Sequence, residues 1–150
     1  RPGGRGNAGN VNLKVTGLVD ITGVKNDYSS GIFSLMEIGT EGNGGNISID
    51  ASSFKLQDDA RLVASTSGKG NAGNVTVNAK DAVFLTGNAY IFSTVEAGGV
   101  GKGGNINLYA NSLSLADGSQ LLTFTKEASP NQPAGQGDAG NININVTGKV

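Results

Sequence analysis

The segment Gly70-Asn71-Ala72-Gly73-Asn74-Val75-Thr76-Val77-Asn78-Ala79 is the most informative part of the chain, because variants of its first five residues occur five times along the sequence. A phrase that returns at intervals of about 20–50 residues marks a supersecondary unit stacked on copies of itself. We therefore expect one repetitive segment over residues 1–150. The closing asparagines, separated by 36, 28, 31 and 36 residues, are Asn10, Asn46, Asn74, Asn105 and Asn141.

The composition excludes several classes of function. Lys and Arg total 11 against 12 Asp and Glu, so the net charge of −1 gives no electrostatic reason to expect a nucleic-acid partner. No apolar stretch approaches the ~20 residues of a transmembrane helix. Cysteine and histidine are absent, which removes disulfides, thiolate chemistry and metal ligation by Cys or His. We expect no cofactor and no metal.

Each phrase is followed by a pattern typical of short β-strands. Apolar residues alternate with polar ones after the phrase, as in Val75-Thr76-Val77, and this period of two indicates a half-buried strand. A second apolar pair such as Phe54-Lys55-Leu56 follows, then turn residues such as Asp58-Asp59 and a third strand such as 60–66. The prediction is an all-β, right-handed parallel β-helix, a three-sided solenoid of about four coils plus the start of a fifth, with coils beginning near the closing asparagines.

Two of the predicted coils are longer than the others. The extra residues fall within Val24–Ser30 and Lys126–Gln136, and we expect both insertions to leave the regular scaffold on its third side. Residues 132–150 also match residues 1–19 at 11 of 19 positions. Since neither end resembles the cap that solenoids normally carry, we expect the chain to be a fragment of a longer tandem array.

The repeat pattern resembles that of filamentous haemagglutinin-type exoproteins of the two-partner secretion class, especially the cyanobacterial members. The resemblance is carried by Gly70–Leu85 and by the strand Ala60-Arg61-Leu62-Val63-Ala64-Ser65-Thr66. It implies a β-helix stalk that is secreted or held at the cell surface, is exported through an outer-membrane partner and is used in adhesion or surface structure. Self-association, lateral or head-to-tail, and a cell-surface or glycan partner are the expected interactions.

The recurring asparagines are the first candidate residues. We expect their side-chain amides to stack along the axis of the rod, where they would satisfy one another and nearby main-chain groups. Each such hydrogen bond would contribute roughly 0.5–1.5 kcal/mol. A cation- or sugar-binding role is the alternative interpretation. The predicted structural ladder comprises Asn10, Asn46, Asn74, Asn105 and Asn141.

Glu37 and Glu96 occupy equivalent positions two coils apart, with Ser67 between them and Lys126 on the next coil. Two carboxylates about 10 Å apart on one face would suit a glycan-cleaving β-helix enzyme. The repeat itself places Glu at both positions, however, and no histidine is available to assist. We predict that the chain is not an enzyme, and that Asp58-Asp59 is only a turn.

The third predicted strand carries apolar side chains on its outward parity, which is unusual for a soluble monomer. Either the two insertions fold back over these side chains, or the surface contacts another rod or a ligand. We call this surface the candidate interaction face. Its members are Phe33, Leu35, Val63, Tyr90, Phe92, Leu122 and Phe124. The predicted function is a structural stalk or fibre segment of an adhesin-like protein; the alternative is a glycan-binding or glycan-cleaving β-helix protein.

Overall fold

A computed structural model of the chain describes residues 3–150, and in that part all regular structure is β-strand. Apolar and β-branched residues dominate the strands, whereas glycine, asparagine and aspartate occupy the connections. The strands are β1 (Val11–Lys14), β2 (Leu18–Thr22), β3 (Val24–Lys25), β4 (Tyr28–Ser29), β5 (Gly31–Met36), β6 (Ile47–Gln57), β7 (Arg61–Thr66), β8 (Val75–Thr86), β9 (Tyr90–Phe92), β10 (Ile106–Leu115), β11 (Gln120–Leu122) and β12 (Ile142–Lys149).

Two parallel sheets contain nearly all of these strands. The larger sheet has the order β1-β6-β8-β10-β12, with β2 also pairing with β6. The smaller sheet has the order β11-β9-β7-β5. Strands β3 and β4 form a separate antiparallel pair. The predicted all-β class with parallel pairing is confirmed, and the arrangement is consistent with a β-helix-like fold.

The strand register follows the spacing of the sequence phrase. We call the segment from one closing asparagine to the next a repeat. Ile47 pairs with Val11 of the preceding repeat and with Val75 of the following one, and Ile106 continues the series to Ile142. Equivalent residues are therefore neighbours whatever the length of the repeat between them. The sequence period and the hydrogen-bonding period are the same.

The first and second predicted strands stay separate as β1 and β2 in the first repeat, but they are joined in the next three repeats, contrary to the expected separation. Strand β6 runs from Ile47 to Gln57 in one sheet, with a register irregularity between Ala51 and Ser53. Strand β8 is continuous through the same point, and β10 has a comparable shift. The intervening residues include neither glycine nor proline, so pairing continues through a β-bulge instead of stopping at a turn.

The turns between the two sheets were correctly predicted. Asp58 and Asp59 have φ angles of 53° and 63°, and Asn88 and Asp117 have φ angles of 56° and 51° at the equivalent place. Asparagine and aspartate tolerate this left-handed conformation better than other residues with side chains. The turn redirects the chain from the larger sheet to the smaller one.

The glycines of the phrase allow successive repeats to approach closely. Gly70 has a φ of +142°, and a Cβ atom there would lie only 1.9 Å from the carbonyl oxygen of Gly42. A Cβ atom at Gly73 would lie 2.0 Å from the carbonyl oxygen of Gly45. No side chain fits at either position without movement of the main chain. The phrase therefore contains glycine because main chain packs on main chain there.

The core lies between the two sheets and consists mainly of Val, Ile, Leu and Ala. Phe54 is its largest fully buried side chain, and Leu56, Leu62 and Ile91 are also inaccessible to solvent. Buried hydroxyls accompany these apolar groups. Ser93 donates to the carbonyl of Gly73 at 2.7 Å and accepts the N–H of Gly104 at 2.9 Å, which ties the smaller sheet to the glycine phrase.

Both insertions form compact connections. Val24–Ser30 contains the β3–β4 hairpin, whose central residues Asn26 and Asp27 have φ angles of 52° and 65°, as a two-residue type I′ turn requires. Lys126–Gln136 contains an antiparallel bridge between Ser129 and Gln132. Its Pro133 carbonyl accepts the N–H of Gly98 at 2.8 Å, which holds the second insertion against the neighbouring repeat.

Candidate functional site

The closing asparagines are joined in a ladder of hydrogen bonds to nearby main-chain groups. The main-chain N–H of each asparagine donates to the side-chain Oδ1 of the asparagine one repeat earlier. The bonds join Asn46 to Asn10, Asn74 to Asn46, Asn105 to Asn74 and Asn141 to Asn105, at 2.8, 2.8, 2.7 and 2.9 Å. The side chains thus bond to main chain, and within residues 3–150 no hydrogen bond joins two of these five amides.

A main-chain requirement explains why asparagine occupies this corner. The N–H of Asn46 points toward the preceding repeat, and its carbonyl accepts the N–H of Val11 in that same repeat at 2.8 Å. In a regular parallel ladder the N–H of Asn46 would donate to the carbonyl of Gly9, the residue before its partner. Here that carbonyl accepts the hydroxyl of Ser34 at 3.4 Å instead. The Oδ1 of Asn10 supplies the acceptor that the Asn46 N–H would otherwise lack.

A second row of asparagines was missed by the sequence reasoning. The N–H of Asn43 donates to the Oδ1 of Asn7 at 2.8 Å, and the N–H of Asn71 donates to the Oδ1 of Asn43 at 2.9 Å. The Oδ1 of Asn71 then accepts the N–H of Lys102. The signal was the second position of the phrase, which is Asn in the first three copies and becomes Lys102 and Asp138 afterwards.

The candidate interaction face is the outer surface of the smaller sheet. Phe33 and Leu35 are 45% and 47% exposed, and Phe124 is 37% exposed. The rings of Tyr90 and Phe92 stack with centroids 5.3 Å apart. Val63, Tyr90, Phe92 and Leu122 are partly exposed. The seven side chains therefore form one aromatic and aliphatic surface that crosses four neighbouring strands.

The insertions leave this surface accessible to solvent. Tyr28, at the end of the β3–β4 hairpin, is itself 80% exposed. The second insertion lies against Gly98, beyond the end of β9, where its Pro133 carbonyl is bound. Because Phe33, Leu35 and Phe124 stay exposed beside these loops, folding back of the insertions does not cover the candidate interaction face.

Arg61 lies at one edge of the face, above the ring of Tyr90, with 5.7 Å between the guanidinium carbon and the ring centroid. A guanidinium placed over an aromatic ring is a stabilising cation–π arrangement. Its Nε is buried and has no hydrogen-bond partner within residues 3–150. The contact with Tyr90 therefore holds the guanidinium in a position where its Nε–H donor forms no hydrogen bond among the described residues.

The two predicted carboxylates lie at the opposite edge of the face, in the series Glu37, Ser67, Glu96 and Lys126. The parallel bridges Thr66 to Val95 and Val95 to Thr125 set this alignment. Glu96 Oε2 pairs with Lys126 Nζ at 3.1 Å, and Glu96 Oε1 accepts the hydroxyl of Thr94 at 2.8 Å. Glu96 is thus held in place, whereas the side chain of Glu37 is exposed.

A pocket with a volume of about 270 Å³ lies between these two carboxylates. We call it the Glu37–Glu96 pocket. Its remaining lining combines hydroxyl groups with apolar side chains, so it has both a polar and an apolar wall. Its lining residues are Leu35, Met36, Glu37, Val63, Ser65, Ser67 and Glu96.

Other kinds of site find little support in the part of the chain that the structure describes. Within residues 3–150, no group of three or more carboxylate, cysteine or histidine side chains is placed to hold a metal ion. The same residues contain no helix of the length and apolarity needed to cross a membrane. Asp58 and Asp59 lie in the turn after β6, away from the Glu37–Glu96 pocket.

Comparison of the chain with protein-family models, with curated proteins and with solved structures gives no match. The fold class therefore rests on the strand pairing itself, which defines an all-β chain with parallel sheets. The resemblance to filamentous haemagglutinin-type repeats stays a prediction from the sequence.

Proposed function

We propose that the chain is a structural stalk or fibre segment of a secreted or cell-surface, adhesin-like protein, and that it is not an enzyme. In this proposal the parallel sheets are the walls of a right-handed, three-sided β-helix with about four coils and the start of a fifth. The observation that carries it is the pairing of every repeat with its equivalent residues in the next, from Val11 through Ile47, Val75 and Ile106 to Ile142. A series of this kind can be extended by further copies without a new kind of contact.

The distribution of the polar groups also supports a structural role. The asparagine rows are occupied by main-chain hydrogen bonds, so their oxygens serve the rod itself. Glu96 is engaged by Thr94 and Lys126. The resemblance to two-partner secretion exoproteins adds export through an outer-membrane partner to the proposal. None of these features requires a cofactor.

We assign lateral association with a second copy of the chain to the candidate interaction face. Its exposed centre is apolar, with the Arg61 guanidinium at one edge and the Glu37 carboxylate beside the Glu96–Lys126 ion pair at the other. Two such faces packed with their rods parallel would bring Arg61 of one copy toward Glu37 of the other. Charge complementarity of this kind favours one orientation of the partner.

Sedimentation velocity tests the lateral contact. The double variant Phe33→Ala and Phe92→Ala removes two rings from the centre of the face, so we expect association to weaken at least tenfold while the β signal in circular dichroism is unchanged. Phe84→Ala is the matched control, because Phe84 is a comparably exposed phenylalanine on the other sheet, 39% accessible. Equal association of all three proteins would refute the lateral contact.

Electron microscopy tests the stalk itself. Purified longer segments of the array, made by joining copies of residues 10–140, should appear as straight rods whose length rises in proportion to the number of copies. The expected rise is about 4.8 Å for each repeat. Compact particles whose diameter grows with the cube root of mass would contradict the proposal.

Glycan cleavage is the second candidate, favoured only by the Glu37–Glu96 pocket, which separates two carboxylates by two strands. Strands two apart place the main chains about 10 Å from each other, near the upper end of the separation used by inverting glycosidases. A turnover assay on polysaccharides with Glu96→Gln as the control tests it. Activity that disappears in this variant would favour an enzyme over a stalk.

A further inference from the structure

The Glu37–Glu96 pocket lies where the middle repeat has two serines beside the larger side chains of Leu35, Glu37 and Glu96. Ser65 pairs with Leu35 across the β5–β7 ladder, and Ser67 follows at the position equivalent to Glu37 and Glu96. The two serines therefore form a depression one strand wide. The larger side chains of the adjoining strands form its walls.

The direction of the hydrogen bonds below the pocket follows from a count of protons. Thr94 donates its only hydroxyl proton to Glu96 Oε1, at 2.8 Å. Ser65 lies 2.8 Å from the Thr94 hydroxyl, so Ser65 must be the donor in that bond. Ser65 is 3% exposed and lines the pocket. Its hydroxyl has no further proton to donate, so the Ser65 oxygen can only accept a hydrogen bond from a ligand in the pocket.

The charges around the pocket are also those of an acceptor site. Lys126 balances Glu96 from the far side. Glu37 takes part in none of the ion pairs formed by residues 3–150. The pocket thus has one unbalanced carboxylate at Glu37, a second carboxylate opposite and serine oxygen between them. A ligand that fits must bring hydrogen-bond donors and a positive charge.

We propose that the Glu37–Glu96 pocket binds an amino sugar residue of a polysaccharide through its primary ammonium group. The ammonium would pair with the carboxylate of Glu37, because both oxygens of Glu96 are already engaged by Thr94 and Lys126. The apolar side chains of Leu35 and Val63 would contact the C–H face of the sugar ring. A volume of about 270 Å³ has room for a ring and is larger than a lysine ammonium needs. Several acceptors spread around an apolar surface likewise match a ring with donors at its edge.

This inference does not depend on lateral association, although the pocket borders the same face. Binding is therefore measured at a protein concentration at which sedimentation shows a monomer. Failure of the lateral contact would leave a monomer that still binds the sugar. Failure of sugar binding would leave association unchanged.

The probe is a short oligomer of β-1,4-linked glucosamine, titrated into the chain at pH 6 and followed by isothermal calorimetry and by the amide shifts of Ser65 and Ser67. The matched ligand is the fully N-acetylated oligomer, which has the same ring and linkage without the charge. We expect binding of the first and at least tenfold weaker binding of the second. Glu37→Gln, which keeps the side-chain volume, should weaken binding of the amine about tenfold.

Glu127→Gln is the control variant, because Glu127 is an exposed glutamate in the second insertion, outside the pocket lining. It should bind as the parent chain does. Equal affinity for the free and acetylated oligomers, or an unchanged affinity in Glu37→Gln, would overturn the proposal. Equally tight binding of Nα-acetyl-lysine amide would show that the pocket selects an ammonium group without a sugar ring.

Discussion

The main-chain N–H of Asn74 donates to the side-chain Oδ1 of Asn46 at 2.8 Å, while the carbonyl of Asn74 accepts the N–H of Ile47 at 2.9 Å. Both main-chain groups of one residue therefore reach the same preceding repeat. In a regular parallel ladder the N–H of Asn74 would donate to the carbonyl of Gly45, and here the amide oxygen of Asn46 takes the place of that carbonyl. Asparagine at this place corrects a local mismatch in the hydrogen bonding of the sheet.

The first prediction concerns the ladder. Asn74→Ala removes the oxygen that accepts the N–H of Asn105 at 2.7 Å, so we expect a loss of about 1 kcal/mol in the free energy of unfolding. Asn74→Asp keeps an acceptor and should lose less. Urea denaturation measures the change, with Asn78→Ala, an exposed strand position, as the reference. A ladder without energetic value would make Asn74→Ala indistinguishable from the reference.

The second prediction concerns the close approach of repeats at the glycine phrase. Gly73→Ala would place a Cβ atom 2.0 Å from the carbonyl oxygen of Gly45. We expect the free energy of unfolding to fall by about 1–3 kcal/mol, because the main chains of the two repeats must move apart. Gly9→Ala occupies the same place in the phrase, but no atom lies within 4 Å of its Cβ, and it should be nearly neutral. Thermal unfolding of the two variants compares them directly, and equal stability would contradict the packing argument.

The third prediction concerns the buried hydroxyl of Ser93, which bonds both the Gly73 carbonyl and the Gly104 N–H. Ser93→Ala leaves two main-chain groups unpaired in a site that is inaccessible to solvent. The expected loss in the free energy of unfolding is about 1–3 kcal/mol. Hydrogen exchange at Gly104 should accelerate as well. Ser114→Ala, at an exposed serine, is the control and should change neither quantity.

The fourth prediction concerns pH. Hydrogen bonds from Thr22 and Gln57 lower the pKa of Asp20 below its ordinary value. A carboxyl whose pKa is lowered by folding stabilises the folded state above its unfolded pKa, and this contribution disappears as the pH falls through the folded pKa. In Thr22→Val the pKa of Asp20 should rise toward the ordinary value, as measured by NMR titration of its carboxyl carbon. The control variant Thr16→Val should leave the pKa of Asp20 unchanged. The contribution of Asp20 to the free energy of unfolding is small because its side chain is exposed.

The sequence predicted those parts of the fold that depend on local chemistry. The phrase ending in Asn74 gave the register, and Asp58-Asp59 gave the turn, because a repeated pattern and a left-handed turn both have residue signatures. The prediction of two separate strands between Ile47 and Gln57 was wrong, because β6 joins them. A bulge has a weaker signature than a turn, so the irregularity after Ala51 could not be told from a chain reversal.

The candidate site was only partly accessible to prediction. The alignment of repeats placed Glu37 and Glu96 on one surface, and the outward parity of the third strand identified Phe33 and its neighbours. The proton direction from Ser65 to Thr94 depends on interatomic distances, which no spacing reveals. The depression at Ser65 also depends on what the adjoining strands carry. Such features belong to three neighbouring repeats together and to none of them alone.

The parallel register has a mechanical consequence. All the main-chain bonds between repeats point along the direction in which the repeats are stacked, so a pull on the two ends loads one ladder at a time. The chain should therefore lengthen in steps, as one repeat after another separates from its neighbour. Release of the 28 residues between Asn46 and Asn74 would add about 90–100 Å of slack. A chain paired in this way would respond to a sudden load by unfolding one repeat at a time, while the repeats still paired kept their structure.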